Sequence, residues 1–147
     1  EEDLDAFREE YDMFPRAKGS GRKRVMIVDD APDALALMEK VLADEGFELI
    51  KVSNATEVGL KAAQLQPDVI LLDFLMPDIN GFEVCKALRA NEITRDTPIM
   101  AVTCLSKERD IERIFACGAD EYLAKPFKVD QLLGKVRDLI GRGRTAE

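Results

Sequence analysis

The sequence predicts a doubly wound α/β domain, a parallel sheet covered by helices on both faces. Five short apolar runs of strand length alternate with five stretches of helical periodicity. Parallel neighbours need crossover connections, and each gap between successive strands is long enough to hold a helix. With 147 residues, 46% of them hydrophobic, the chain can close one core.

The first strand runs from Arg24 to Asp29, with Val25, Met26, Ile27 and Val28 as an unbroken apolar run suited to burial on both faces. Pro32 to Glu45 has helical periodicity, and Gly46 supplies a C′ residue that closes it. Glu48 to Val52 reads as the second strand and Ala55 to Leu65 as a helix, for which Asn54 and Glu57 have the spacing of a capping box. Asp68 to Asp73 is the third strand and Gly81 to Ala90 the next helix. Pro98 to Val102 is the fourth strand, and Lys107 to Ala116 is a helix stopped by Gly118. Glu121 to Ala124 is a short last strand. In the last helix, Val129 to Ile140, the residues Val129, Leu132, Leu133, Val136, Leu139 and Ile140 share one face.

Composition removes several classes of function. There is no histidine, which excludes Ser-His and Cys-His catalysis and imidazole metal sites. The three cysteines, Cys85, Cys104 and Cys117, lack CxxC spacing and fall in apolar-periodic segments, so buried structural thiols are expected rather than a disulfide framework or a zinc site. Apolar runs such as Val69 to Leu72 and Phe74 to Pro77 are too short to cross a bilayer, and the acidic N-terminus is unlike a signal peptide. No membrane association and a cytoplasmic location are therefore expected. A net charge of -8 argues against direct nucleic-acid binding, which relies on cationic side chains displacing counterions.

Ligands of doubly wound folds bind beyond the C-terminal ends of the strands. Those ends carry Asp29 and Asp30, Asp73, Thr103 and Lys125. Taken singly, each is an ordinary solvated loop residue or cap; their arrival at one edge of one sheet argues for a site. Three carboxylates brought together repel one another, and a hard divalent cation such as Mg²⁺ relieves that repulsion. A carboxylate can attack phosphorus to give an aspartyl phosphate if metal, ammonium and hydroxyl groups neutralise the phosphoryl oxygens. Lys125 and Thr103 are the ammonium and hydroxyl of this set.

The stretches VMIVDD at 25–30, VILLDFLMPDINGFE at 69–83, PIMAVT at 98–103 and GADEYLAKPF at 118–127 resemble, in order and spacing, the receiver domains of bacterial two-component response regulators, the chemotaxis-regulator-like proteins. The likeness covers residues 24–141. It implies a flavodoxin-like (βα)5 sandwich of strand order 2-1-3-4-5, a property that periodicity alone does not give. It implies Asp73 as phosphoacceptor, Asp30 and Asp73 as direct Mg²⁺ ligands, Asp29 acting mainly through water, and the Leu75 backbone carbonyl completing the protein ligands. By the same resemblance Thr103 and Lys125 contact the phosphoryl oxygens, the Lys125–Pro126 peptide is cis and positions the lysine, and Pro77 and Gly81 belong to the loop that follows the acceptor. Tyr122 falls at the aromatic switch position: phosphorylation draws Thr103 inward and leaves space for the ring. The implied output face is the fourth helix, fifth strand and fifth helix. Implied partners are a histidine kinase or phosphotransfer protein and an output partner protein of unknown identity. A homodimer through the output face stays open, with no specific residue arguing for it. At Leu75, where other members can carry a polar side chain that orients water, an apolar residue predicts a long-lived phosphoryl group.

Two other readings were weighed. A phosphorylation-independent interaction module of the same fold is disfavoured by the intact Asp30, Asp73, Thr103 and Lys125 set. A haloacid-dehalogenase-type phosphatase wants a DxD nucleophile near the N-terminus, which Asp73-Phe74-Leu75 does not provide. On the leading reading the chain assists its own phosphorylation and dephosphorylation but is not otherwise an enzyme.

Outside the receiver-like region, residues 1–14 hold seven acids and one base, and place Leu4, Phe7, Tyr11 and Phe14 on one stripe of a candidate docking helix. The alternatives are a disordered acidic tail and a tethered partner peptide. Residues 15–23 form a basic linker containing Gly19, Ser20 and Gly21, whose bases, with Arg24, are expected to keep it solvated. Residues 142–147 read as a polar tail.

Overall fold

The computed structural model describes residues 21–77 and 79–143. The expected docking helix at 1–14, linker residues 15–20 and tail residues 144–147 lie outside the described residues. Five strands, β1 (Arg24–Val28), β2 (Glu48–Val52), β3 (Val69–Leu72), β4 (Ile99–Thr103) and β5 (Glu121–Ala124), alternate with α1 (Pro32–Asp44), α2 (Val58–Leu65), α3 (Gly81–Ala90), α4 (Glu108–Ala116) and α5 (Val129–Arg142). All five strands are parallel and lie in the order β2-β1-β3-β4-β5, which is the doubly wound topology expected.

Strand alternation divides the core into two layers. Met26, Val28, Ile70, Leu72, Ile99 and Ala101 face α2, α3 and α4, which contribute among others Ala62, Cys85, Leu88 and Ile114. Val25, Ile27, Val69, Leu71, Met100 and Val102 face α1 and α5, met by Met38, Leu42, Leu132, Val136 and Leu139. Because both faces are covered, β1, β3 and β4 are buried throughout. Each large aliphatic side chain so buried contributes roughly 1.5–3 kcal/mol. Among the described residues no helix is long and apolar enough to cross a membrane.

Several local expectations change. The segment read as one helix from Ala55 begins as a 3-10 turn over Ala55–Glu57. Asn54 caps it by accepting from the Thr56 N–H and hydroxyl, while Glu57 pairs with Lys61 one turn on, so the reciprocal arm of a capping box is not made. Cys85 is buried as expected, but Cys104 is exposed and Cys117 half-buried, because both follow the ends of their strand and helix. Val129 is 43% exposed, since the first residue of α5 projects past the sheet. Arg24 is buried rather than solvated. Its guanidinium donates to the Leu65 carbonyl at 2.7 Å and to Glu48 at 3.3 Å, and its backbone N–H donates to Asp68 at 2.7 Å, closing the N-terminal edge of the sheet. A second guanidinium, that of Arg89 on α3, donates to the carbonyls of Gly118, Arg95 and Thr97 and pairs with Asp120 at 2.8 Å.

The turn between β3 and α3 places the functional edge. Leu75–Met76 pairs antiparallel with Ile79–Asn80, and Asn80 caps α3 by accepting from the Phe82 and Glu83 N–H groups. Gly81 then lies against Phe74, whose ring meets Phe82 edge-on at 5.0 Å. A Cβ on Gly81 would stand 2.6 Å from the Phe74 Cα, so only glycine fits there without moving the residue next to Asp73. Gly81→Ala is expected to destabilise the fold by about 1–3 kcal/mol through this overpacking. The urea midpoint would read it; an unchanged midpoint would mean that the turn yields freely.

Candidate functional site

The parallel ladder continues one residue past the strands and sets the site. The Asp29 N–H donates to Val52, the Asp73 N–H to Val28, and the Lys125 N–H to Thr103, each at 2.9–3.1 Å. Three of the five residues read from sequence are thereby brought into direct contact. The Lys125 ammonium donates to Asp29 Oδ2 at 2.7 Å and to Asp73 Oδ2 at 2.9 Å. Asp29 is 1% and Asp73 5% exposed, and their other oxygens accept from the Ala31 and Leu75 N–H groups at 2.9 Å. The Lys125–Pro126 peptide is cis, as expected.

Asp30 is exposed and hydrogen-bonds with none of the other four. Among the described residues no three acidic or thiol side chains gather closely enough to hold a metal ion. The cluster of three carboxylates anticipated from sequence is thus a buried pair bridged by an ammonium, with the third carboxylate beside it in solvent. Lysine supplies the charge compensation that the sequence reading assigned to a cation alone.

A divalent cation nevertheless suits the donor set. All the candidate ligands are hard oxygens, and each Asp73 oxygen carries one described hydrogen bond, leaving it further acceptor capacity. Three carboxylates against one ammonium also leave two negative charges uncompensated. Asp30, Asp73 and the Leu75 carbonyl are the groups that could hold such an ion.

Thr103 is fully buried at the end of β4, and its Oγ1 accepts from the Leu105 N–H at 3.3 Å. Tyr122 lies on the same face of the sheet, and its hydroxyl donates to the Leu105 carbonyl at 2.6 Å. Burial holds the Tyr122 phenol above its usual pKa. Leu105 is therefore gripped at both its N–H and its carbonyl, a linkage that the sequence motifs did not disclose. Asn80, the cap of α3, was also missed, although an Asn directly before a glycine and an apolar-periodic run is a recognisable start signal.

The geometry has counterparts among known proteins. A family profile, the response regulator receiver domain, matches residues 25–137. The DNA-binding dual master transcriptional regulator RpaA of Synechocystis sp. is 39% identical over 119 residues, which are 81% of this chain and 49% of that protein. The DNA-binding response regulator MtrA of Mycolicibacterium smegmatis is 34% identical over 82% of this chain and 52% of its own length. The chain thus spans about half the length of these curated relatives. Among solved structures, the chemotaxis protein CheY4 of Vibrio cholerae superposes with a TM-score of 0.76 at 30% identity, covering 80% of this chain and 98% of that one. The receiver domain of a sensor histidine kinase from Pseudomonas aeruginosa, described with a magnesium ion coordinated in its active-site cleft, gives 0.76 at 29% identity, over 82% and 99% of the two chains.

The lysine bridge makes stability depend on pH in a defined direction. Burial alone would lower the Lys125 pKa, but the hydrogen bonds it donates to Asp29 and Asp73, and then their charges, outweigh it and hold the ammonium above the usual 10.5. A folded value above the unfolded one means that this contribution is fully present below pH 10.5 and is lost as pH rises through the folded value. Lys125→Met leaves two buried carboxylates without their cation and is expected to cost about 3 kcal/mol at neutral pH. Urea midpoints of both proteins followed into the alkaline range should converge only above pH 10.5; convergence at neutral pH would contradict the bridge.

Proposed function

The chain belongs to the response regulator receiver family and acts in signal transduction by phosphorylation, and on that footing we propose that Asp73 is its phosphoacceptor. The observation that carries the assignment is the Lys125 ammonium lying between Asp29 and Asp73 at the C-terminal edge of the sheet. A histidine kinase or phosphotransfer protein is the donor in this reading, an output protein the recipient of the signal, and the cytoplasm the compartment.

An Asp73 oxygen attacks the donor phosphorus, the bond from phosphorus to the donor breaks, and an aspartyl phosphate forms. Asp30, Asp73 and the Leu75 carbonyl would hold Mg²⁺, which would supply neutralising charge to the transferring phosphoryl oxygens. Lys125 is already 2.9 Å from Asp73 Oδ2 and turns its donors to the phosphoryl group. The Thr103 hydroxyl makes its described contact as an acceptor, so its O–H is available to a phosphoryl oxygen. Asp29 is a positioning residue that holds Lys125 from its other side. The chain supplies these groups to its own modification and turns over no separate substrate.

The signal leaves through Leu105. When Thr103 turns toward the phosphoryl group it gives up the Leu105 N–H, and the Tyr122 hydroxyl remains the hold on that residue. The loop leading into α4 then resettles, which repacks the face made by α4, β5 and α5 and changes its affinity for a partner.

Intact mass after incubation with Mg²⁺ and acetyl phosphate or phosphoramidate tests the assignment. One phosphoryl group should be gained, and should be absent in Asp73→Asn and without metal. Equal gain in the variant would move the acceptor elsewhere, and no gain with any donor would support an interaction module that works without phosphorylation. Leu75 is 56% exposed beside the acceptor and offers no polar group to orient water. The phosphoryl group should therefore persist well beyond seconds, and Leu75→Asn should shorten its lifetime. A wild-type lifetime of seconds would remove the argument from Leu75.

A further inference from the structure

We propose that Cys85 and Cys117 are a redox modification site, a dithiol that a peroxide oxidises to a reversible disulfide joining α3 to the C-terminal end of α4. This goes beyond the phosphorylation reading and does not depend on it. Cys85 is fully buried on α3, and its thiol donates to the Cys117 carbonyl at 3.4 Å. Cys85 thus lies directly against the residue that carries the second thiol. Cys117, half-buried at the cap of α4, lines a cleft of about 210 Å³ with Phe82, Glu83, Lys86 and Arg113, through which a small oxidant can reach it. In its thiol form it donates to the Ile114 carbonyl at 3.1 Å.

The surroundings give the two sulfurs different parts. The neighbouring Cys85 thiol lowers the Cys117 pKa; burial opposes this, and the Cys117 and Ala119 N–H groups and the Lys86 charge add to the lowering. Cys85 is pushed the other way, by the neighbouring Cys117 side chain and by burial. The sulfur at the cleft is thus the one placed to meet an oxidant, and the inner one is buried against its residue, the arrangement of an attacking and a resolving cysteine.

The chemistry balances with a peroxide as oxidant. The Cys117 thiolate attacks one peroxide oxygen, the O–O bond breaks, Cys117 becomes a sulfenic acid, and the departing hydroxide takes a proton to become water. Cys85 then loses its proton and attacks the Cys117 sulfur; the S–O bond breaks, the S–S bond forms, and the hydroxyl leaves with a proton as the second water. Two thiols are oxidised by two electrons, and one peroxide is reduced to two waters.

The test is hydrogen peroxide treatment of the folded chain, followed by unfolding, alkylation and mass analysis. Alkylatable thiols should fall from three to one, leaving Cys104. Before alkylation the mass should drop by about 2 Da, the two thiol hydrogens. Peptide mapping should find Cys85 linked to Cys117, and dithiothreitol should restore all three thiols. Cys117→Ser should keep both remaining thiols alkylatable, while Cys85→Ala should leave a Cys117 sulfenic acid that dimedone traps. The proposal is overturned if all three wild-type thiols stay alkylatable, if only dimers linked through Cys104 form, or if Cys117 oxidises onward without a bridge.

Discussion

Like charges buried side by side in a medium of low dielectric constant cannot both stay ionised without a counter-charge. The C-terminal edge of this sheet poses that problem directly, because the Asp73 N–H is bonded to Val28 and the two buried aspartates therefore stand on adjacent strands. Lys125 answers it from β5, reaching past β4 to lie between the carboxylates of β1 and β3. One ammonium thus ties an edge strand to the centre of the sheet, and at the same time leaves the edge net negative, a charge that suits a divalent cation.

Strand alternation governs what else the edge can do. Thr103 and Tyr122 share the face covered by α2, α3 and α4, and both reach Leu105 in the connection to α4. The aspartates and lysine hold the middle of the edge, and the hydroxyl pair faces the helices. The Thr103 and Tyr122 hydroxyls are thus joined through one residue's backbone at the entry to α4.

Much of this was readable from sequence because the strands are buried on both sides and so appear as unbroken apolar runs, and because a doubly wound fold has a single functional edge. The residues ending β1, β3, β4 and β5 could be found in that way. Which of the two neighbouring aspartates faces inward could not, since the outcome depends on the direction from which Lys125 approaches. Arg24 was misread for a related reason: its charge looked like part of the basic linker, while its partners Glu48, Leu65 and Asp68 are remote in sequence. The exposure of Cys104 and the pairing of Cys85 with Cys117 likewise depend on where helices stop against neighbours, which periodicity does not encode.

The Arg89 guanidinium fixes the end of α4 farthest from Asp73. It holds the Gly118 carbonyl just after the helix, together with Arg95, Thr97 and Asp120, so the lower ends of β4, β5 and α4 form one clamped block. The upper end of α4 is approached instead through the two hydrogen bonds at Leu105. A rod fixed at one end has swinging rather than sliding open to it. With nine residues α4 is roughly 13 Å long, so a small tilt at its clamped foot would displace its head by ångströms.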